Sequence, residues 1–180
     1  MNDKNVFKNV TCENGCYGIE TEKNNMILKF KKIHPKAIIP EYKSTYAAAF
    51  DFHAIIEKNQ MGVSDSVIFI KPKQKLIVQT GLIAVIPSGY KLDITPRSGM
   101  AFHDEITIIN TPGKIDEDYF GEIKVVLYNL SDKEVKIQNG QRIAQCELRP
   151  VFRATIIETE EITEEELQKD RGGGIGSTGK

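Results

Sequence analysis

One stretch of the sequence combines the residue types needed to hold a small ligand beside a proton acceptor. Residues 110–122 read Asn-Thr-Pro-Gly-Lys-Ile-Asp-Glu-Asp-Tyr-Phe-Gly-Glu, and an apolar run from Ile123 to Leu130 follows. The Pro and Gly residues predict a turn between two strands. This turn presents an apolar-flanked carboxylate, Asp116, and an aromatic side chain, Tyr119. We therefore predict an enzyme hairpin in which Asp116 is the general base.

A second stretch has the residue types of an anion site. Pro96-Arg97-Ser98-Gly99-Met100-Ala101 combines a cation, a hydroxyl group and a glycine. The guanidinium of Arg97 offers a planar fork of donors, and the backbone at Gly99 allows a ligand to approach closely. Arg-Ser-Gly turns are common on protein surfaces, so this stretch gains weight only from its combination with the others.

A third candidate is Asp51, which lies in the strand-like run from Ala47 to Ala54. A carboxylate among small and aromatic neighbours needs a partner when it is buried. The residues alone leave two alternatives open for Asp51. It either belongs to a ligand network or forms a purely structural ion pair.

The C-terminal tail offers further anion contacts. Arg171 precedes a Gly-rich segment that contains the hydroxyl groups of Ser177 and Thr178 and ends at Lys180. Exposed amides and hydroxyls can wrap anionic oxygens once a ligand is present. The glycines do not form a dinucleotide-binding fingerprint, because no strand precedes them and no chain remains for the helix that would follow.

The elements that must position these residues are predicted to be short strands. Runs dominated by Ile, Val, Leu and Phe alternate with Pro, Gly and Asn-Gly turn signals, which predicts an all-β sandwich or barrel. We expect a polar N-terminal arm over residues 1–25, a β-rich core over 26–157, and an acidic linker with a Gly-rich tail over 158–180. The predicted strands of the core are Met26–Ile33, Ala47–Ala54, Val67–Ile70, Lys75–Thr80, Gly81–Pro87, Lys91–Thr95, Ile123–Leu130, Val135–Ile137 and Arg142–Leu148.

Composition restricts the function classes. The net charge is −1 over 180 residues, so no bulk field favours nucleic acid or a membrane surface. The sequence contains no run of some twenty apolar residues, so we predict no membrane-spanning helix. Three cysteines, Cys12, Cys16 and Cys146, suggest no disulfide framework, and we favour ordinary thiols over a metal site at the first two. We expect a cytoplasmic protein that binds neither nucleic acid nor membranes.

Five stretches together resemble the five motifs of the trimeric deoxyuridine triphosphatases (dUTPases), in the same order. They are Ala47–Ala54, Pro96–Ala101, the 110–122 hairpin, the Gly140 turn leading into Arg142-Ile143-Ala144-Gln145, and the tail from Arg171. The resemblance implies a distorted jelly-roll fold, similar to a β-sandwich, and a homotrimer whose active sites are shared among chains. It also implies Mg²⁺-dependent hydrolysis of dUTP to dUMP and pyrophosphate by water attack on the α-phosphate.

The resemblance assigns roles to individual residues. Asp116 would be the catalytic base, and Mg²⁺ would be held by the phosphates and by waters, with Asp51 and Gln145 acting only through those waters. Arg142 would be an ion-pair partner within the fold. The substrate-binding residues would be Arg97, Ser98, Gly99, Asn110, Lys114, Ile115, Tyr119, Lys124, Gln145, Arg171, Ile175, Gly176 and Ser177. Glu117 and Asp118 would be solvated turn residues or secondary members of the water network.

One position departs from the family pattern. Ile175 stands where most members carry an aromatic residue that stacks on the uracil. An aliphatic side chain still excludes water but loses the geometry-specific part of an aromatic contact, of the order of 1 kcal/mol. We therefore expect weaker closure over the base and intact chemistry.

Two other functions remain as alternatives. A dCTP deaminase would share the fold, but its Arg-Ser stretch continues to a second Arg where Phe102 stands here. Its catalytic Glu has no counterpart in Val126–Asn129. A regulatory nucleotide-binding protein would keep the pocket, yet it has less need of the base Asp116.

Overall fold

The computed structural model describes residues 9–11, 17–19, 26–57 and 66–170. Within these ranges the chain forms thirteen strands and two short helices. The first strands are β1 (Asn9–Thr11), β2 (Tyr17–Ile19), β3 (Lys29–Lys32), β4 (Phe50–His53), β5 (Val67–Ile70), β6 (Lys75–Gln79) and β7 (Leu82–Val85). They are followed by β8 (Tyr90–Thr95), α1 (Ser98–His103), β9 (Ile106–Ile108), β10 (Gly113–Ile115), β11 (Lys124–Asn129), β12 (Val135–Gln138), β13 (Arg142–Pro150) and α2 (Glu164–Leu167).

The strands form small sheets in which every pairing is antiparallel. The largest sheet has the strand order β10-β8-β13-β4, and the next has the order β6-β11-β9. Two-stranded sheets join β12 to β5, β3 to β7 and β1 to β2. Strands distant in sequence are therefore neighbours in space, as is typical of sandwiches and jelly rolls. The predicted all-β class is confirmed.

Alternation along the strands separates a core from a polar face. In β8, Leu92 and Ile94 are buried, whereas Lys91, Asp93 and Thr95 lie on the opposite face and are only partly covered. This is the period of two expected for a strand with one face in the core. The core unites buried residues from most strands, among them Phe50, Phe52, Ile70, Val78, Leu82, Ile106, Ile108, Ile123, Val125, Leu127, Ile137 and Ile143.

Most predicted strands are confirmed, with ends that differ by a few residues. Val67–Ile70 is β5 with the predicted bounds, whereas the predicted Met26–Ile33 narrows to Lys29–Lys32. The helix α1 and the short strands β9 and β10 were not predicted. Nor was the pairing of β1 with β2, which lies in a segment without visible strand periodicity. Such short elements carry too few residues to show a period.

The end of the described chain differs in character from the core. Residues 151–163 have no regular secondary structure, and the side chains of Phe152, Ile156 and Ile157 are 92%, 95% and 77% exposed. The acidic run then forms α2, whose N-terminus is closed by a capping box between Thr163 and Glu166. The run predicted as an acidic linker therefore contains a short helix. None of the helices among the described residues has the length and apolar character needed to span a membrane.

Candidate active site

An arginine–aspartate cluster lies where β8 leads into α1. The Nε of Arg97 donates to Oδ1 of Asp51 at 2.9 Å, and Nη1 of Arg142 donates to Oδ2 of Asp51 at 3.1 Å. Both oxygens of Asp51 therefore accept from cations, and the side chain is only 15% exposed. The structural ion pair considered for Asp51 is present, and Arg142 is the ion-pair partner that the sequence predicted.

Strand register brings these residues together. β13 pairs with β4 on one side and with β8 on the other, so Gln145 lies opposite both Asp51 and Thr95. The amide Nε2 of Gln145 donates to the carbonyl oxygen of Pro96 at 3.0 Å. Gln145 thus fixes the backbone just before Arg97. The second and fourth motifs of the sequence converge at this corner of the sheet.

The corner has donors that remain available to an anion. Ser98 and Gly99 are exposed at the start of α1, where the first amides of a helix have no intrahelical acceptor. A Cβ placed on Gly99 would meet no other atom within 4 Å. Space therefore lies beside the backbone at Gly99. This arrangement suits phosphate oxygens.

His53 also belongs to this corner, although the sequence analysis did not assign it a role. It follows Asp51 on the same face of β4, and the register pairs it with Arg142. Its Nδ1 is buried and has no hydrogen-bond partner among the described residues. Burial lowers the pKa of His53, and Lys43, Arg142 and Arg97 lower it further, whereas Asp51 opposes them. The alternation Asp51-Phe52-His53 was the signal that could have identified it.

His53 should make stability depend on pH. Because its pKa is lowered in the folded protein from 6.5, the unfolded chain binds a proton that the folded chain rejects. The contribution of His53 to the free energy of unfolding is therefore complete at pH values above the unfolded pKa. It declines as the pH falls through the folded pKa. In urea titrations at a series of pH values below about 6.5, replacing His53 by Phe should flatten this decline. His103→Asn, a change at an exposed histidine, is the control. An unaltered slope in His53→Phe would contradict the assignment.

The hairpin after β10 presents the predicted base without a partner. Asp116 is exposed, and its carboxylate makes no hydrogen bond or ion pair with the described residues. The backbone around it is ordered by a turn in which the amide of Tyr119 donates to the carbonyl oxygen of Asp116 at 3.1 Å. The hydroxyl of Tyr119 donates to the backbone oxygen of Glu122 at 3.0 Å. Asp116 is thus a free carboxylate on a defined loop.

The remaining predicted hairpin residues surround this loop. Asn110 is exposed, and its side-chain nitrogen lies 3.3 Å from where a Cβ on Gly113 would be, so a larger residue at 113 would push it aside. The Nζ of Lys114 lies 3.7 Å from Oδ1 of Asp93, and the Nζ of Lys124 lies 3.9 Å from Oε2 of Glu122. Ile115 is half-buried against the core. Their contacts with a nucleotide stay predictions.

Glu117 differs from its prediction as a solvated turn residue. Its Oε2 accepts a hydrogen bond of 2.5 Å from the amide of Gly89, and its Oε1 lies 3.5 Å from Arg153. The side chain is only 25% exposed. The first of the two alternatives for Glu117, a solvated turn residue, was wrong because strand pairing brings the turn before β8 beside the hairpin, which sequence spacing does not reveal. Its place in a water network stays a prediction. Asp118 is exposed, as expected for a turn residue.

Arg97, Ser98, Gly99 and Gln145 form what we call the anion corner, and residues 116–122 form the base loop. The two lie at opposite ends of β8. Ile115 pairs with Leu92, which sets Asp116 beside the start of the strand, whereas Arg97 follows its end. At ~3.3 Å per residue, β8 between Lys91 and its last residue, Thr95, measures about 13 Å, and Arg97 lies two residues further along the chain. Within one chain the predicted base and the predicted phosphate-binding residues are therefore separated along β8.

Four predicted residues lie outside the described part of the chain. They are Arg171, Ile175, Gly176 and Ser177. The described chain stops at Asp170, just after α2. Their roles as substrate contacts stay predictions.

The residues at the anion corner fit a magnesium ion held mainly by substrate and water. Among the described residues no group of three or more His, Cys, Asp or Glu side chains could hold a metal ion. The oxygens of Asp51 already accept from arginines, and each can accept a second bond from a water. Oε1 of Gln145 makes no hydrogen bond with the described residues. Such water-mediated contacts suit an ion that keeps much of its hydration shell.

Proteins of similar sequence share one described activity. The dUTPase family model matches residues 35–179. A deoxyuridine 5′-triphosphate nucleotidohydrolase of Nautilia profundicola is 46% identical over 156 residues, which cover 86% of this chain and 100% of the relative. The protein of the same description from Helicobacter pylori (strain Shi470) is 42% identical over 155 residues, covering 86% of this chain and 97% of the relative.

Solved structures agree on the fold. A point mutant of the dUTPase of phage 80alpha superposes with a TM-score of 0.68 at 22% identity, covering 84% of this chain and 98% of the phage protein. A point mutant of the dUTPase from Staphylococcus aureus phage phi11 gives 0.65 at 20% identity, covering 76% and 98%. The jelly-roll-like β fold expected from the motifs is thereby confirmed. With the match to the family model and relatives of more than 40% identity, this chain belongs to the dUTPase family.

Proposed function

We propose that this protein hydrolyses dUTP to dUMP and pyrophosphate. The observation that carries the proposal is the free carboxylate of Asp116 on an ordered loop, in a chain of the dUTPase family. A carboxylate without an ion-pair partner can accept a proton from water. The resulting hydroxide attacks the α-phosphorus, a new P–O bond forms, and the bond from the α-phosphorus to the bridging oxygen breaks. Pyrophosphate leaves with the bond electrons, and the proton on Asp116 passes to solvent.

The anion corner positions the triphosphate. Arg97, Ser98 and Gly99 supply charge, hydroxyl and amide donors to the phosphate oxygens, and Gln145 holds the backbone before them. Asp51 keeps the guanidinium of Arg97 oriented through its 2.9 Å bond. Oriented donors stabilise charge that develops on the phosphate oxygens during transfer. Arg171, with Gly176 and Ser177, would neutralise the far end of the triphosphate.

Magnesium fits this corner as a cofactor held by substrate. When bound, Mg²⁺ draws charge from the phosphate oxygens and so favours departure of pyrophosphate. Asp51 and Gln145 would contact only its waters, because the carboxylate of Asp51 is already occupied by two arginines.

The hairpin selects the base and the sugar. Backbone donors and acceptors from Asn110 to Lys124 match uracil, whereas cytosine would leave buried groups unpaired, which is costly. Tyr119 is 44% exposed, and its hydroxyl is held by the backbone of Glu122. Its ring can therefore pack rigidly against the deoxyribose and leave no space for a ribose 2′-hydroxyl.

A homotrimer would complete the site. The separation of Asp116 from Arg97 by the length of β8 supports a site in which one chain supplies the base loop and another supplies the anion corner. The segment after β13 exposes Phe152, Ile156 and Ile157 almost fully, and apolar groups exposed together favour an interface. A closed threefold assembly repeats each such contact three times.

Restoring an aromatic residue in the tail should tighten substrate binding. We expect Ile175→Phe to lower the KM for dUTP about fivefold, because an added stacking contact is of the order of 1 kcal/mol. The kcat should change little, since the chemistry uses other groups. Initial rates over a range of dUTP concentrations measure both constants. Ile175→Leu is the control. Equal KM values for the Phe and Leu variants would contradict the proposed contact between residue 175 and the base.

Hydrolysis in ¹⁸O-labelled water tests the proposed reaction. Attack at the α-phosphorus places the label in dUMP and leaves pyrophosphate unlabelled, which mass spectrometry of the two products distinguishes. Label in pyrophosphate would place the attack on the β-phosphorus and contradict the proposal. Release of ammonia from dCTP, assayed beside this reaction, would indicate a deaminase.

A further inference from the structure

Two glutamates flank the base loop, and each accepts a backbone hydrogen bond from a distant glycine. Oε2 of Glu117 accepts from the amide of Gly89 at 2.5 Å, and Oε1 of Glu122 accepts from the amide of Gly81 at 2.9 Å. Both glycines have positive φ angles, +81° and +67°. Gly81 precedes β7 and Gly89 closes the turn that follows it. The loop from Asp116 to Glu122 is thus attached at both ends of β7.

The two anchors hold different parts of the loop. Glu117 is adjacent to Asp116, so its bond to Gly89 restrains the backbone that carries the base. The Glu122 anchor lies at the other end, where the hydroxyl of Tyr119 donates to the backbone oxygen of Glu122. This end is fixed further, because the amide of Ile123 donates to the carbonyl oxygen of Leu82 at 2.8 Å.

The anchors are suited to fixing a position. Both glutamates are mostly covered, with exposures of 25% and 14%, and a charged acceptor makes a stronger bond than a neutral one. A covered backbone N–H group needs an acceptor, and each glutamate supplies one. A base that must be aligned with an attacking water gains from such restraint, because small displacements lower the rate.

We propose that Glu117 and Glu122 are positioning residues of the active site, with Glu117 aligning Asp116 and Glu122 aligning Tyr119. The inference rests on the proposed function, because it assumes that Asp116 is the base and that Tyr119 contacts the sugar. Neither glutamate is proposed to contact the substrate. Each acts by holding the loop against β7.

The alanine variants should separate the two roles. Glu117→Ala should lower kcat about 30-fold with KM for dUTP within about twofold, because only the alignment of the base is lost. Glu122→Ala should raise KM for dUTP and reduce the preference for dUTP over UTP about tenfold, because the tyrosine is no longer fixed. Glu134→Ala, a change at an exposed glutamate in another turn, is the matched control and should resemble the wild type.

A conservative variant distinguishes alignment from general loop stability. Glu117→Gln keeps an oxygen that accepts the Gly89 amide, so it should restore most of the kcat lost in Glu117→Ala. If the Gln variant is as slow as the Ala variant, or if Glu117→Ala keeps the wild-type kcat, the proposal is overturned. Thermal unfolding of each variant shows whether the fold itself has changed.

Hydrogen exchange tests the anchors without any substrate. Peptides that cover Gly89 and residues 116–122 should exchange faster in Glu117→Ala than in the wild type and in Glu134→Ala, because the anchored amide loses its acceptor. Unchanged exchange would overturn the anchoring. If the wild type shows no dUTP turnover, the proposed function fails, whereas the exchange result still decides whether the two glutamates hold the loop.

Discussion

Replacing Asp116 by Asn should reduce dUTP turnover by about 10²–10⁴-fold, the usual contribution of a general base. The amide of Asn has nearly the same shape as the carboxylate but cannot take the proton from water. The exposed carboxylate makes no bond with the described residues, so the fold should not change. Steady-state rates of pyrophosphate release measure the loss.

Substrate binding should survive this substitution. The groups proposed to hold the triphosphate, Arg97, Ser98 and Gly99, are unchanged in this variant, and Asn keeps nearly the shape of Asp. A non-hydrolysable dUTP analogue should therefore bind Asp116→Asn with an affinity close to that of the wild type, as measured by calorimetry. Asp132→Asn, at an acid that is 92% exposed, is the matched control. Unchanged turnover in Asp116→Asn would contradict the assignment of Asp116 as the base.

Two inactive variants should regain activity when they assemble together. Arg97→Ala removes the guanidinium of the anion corner and should lower turnover about 100-fold or more, while Asp116→Asn removes the base. If each site takes its corner from one chain and its base loop from the next, every mixed trimer contains one intact site out of three. Co-expression with two different affinity tags and purification through both should then yield about one third of the wild-type rate.

The same experiment has an internal control. Two copies of Asp116→Asn, each with a different tag, are co-expressed and purified in the same way. This preparation should stay inactive. Recovery in the mixed preparation alone would establish that the site is shared. Mixed assemblies no more active than either parent would contradict a shared site, and they would require Asp116 and Arg97 to act within one chain in spite of their separation along β8.

Strand periodicity predicted much of the fold. β5, β8 and β11 follow from alternating or apolar runs bounded by turn residues, since a run of four to eight residues already shows a period of two. The helix α1 escaped prediction because its six residues contain only one buried side chain, Met100. Three-residue strands such as β9 and β10 are defined by their partners rather than by their own pattern.

The sequence also located the chemistry but not its arrangement. The pairing of Asp51 with both Arg97 and Arg142 joins three distant segments, and only the register of β13 between β4 and β8 brings them together. The anchoring of Glu117 to Gly89 depends in the same way on the path of the chain through space. Side-chain contacts between segments far apart in sequence leave no local pattern.

Release of pyrophosphate from dUTP, dCTP, dTTP and UTP, measured in parallel with Mg²⁺, tests the proposed activity most directly. We predict rapid release from dUTP and little from the other three, because the hairpin should exclude the cytosine amino pattern, the thymine methyl group and the ribose hydroxyl. Ammonia released from dCTP would contradict the account in favour of deamination. Binding of dUTP without release from any of the four would contradict it in favour of a regulatory role.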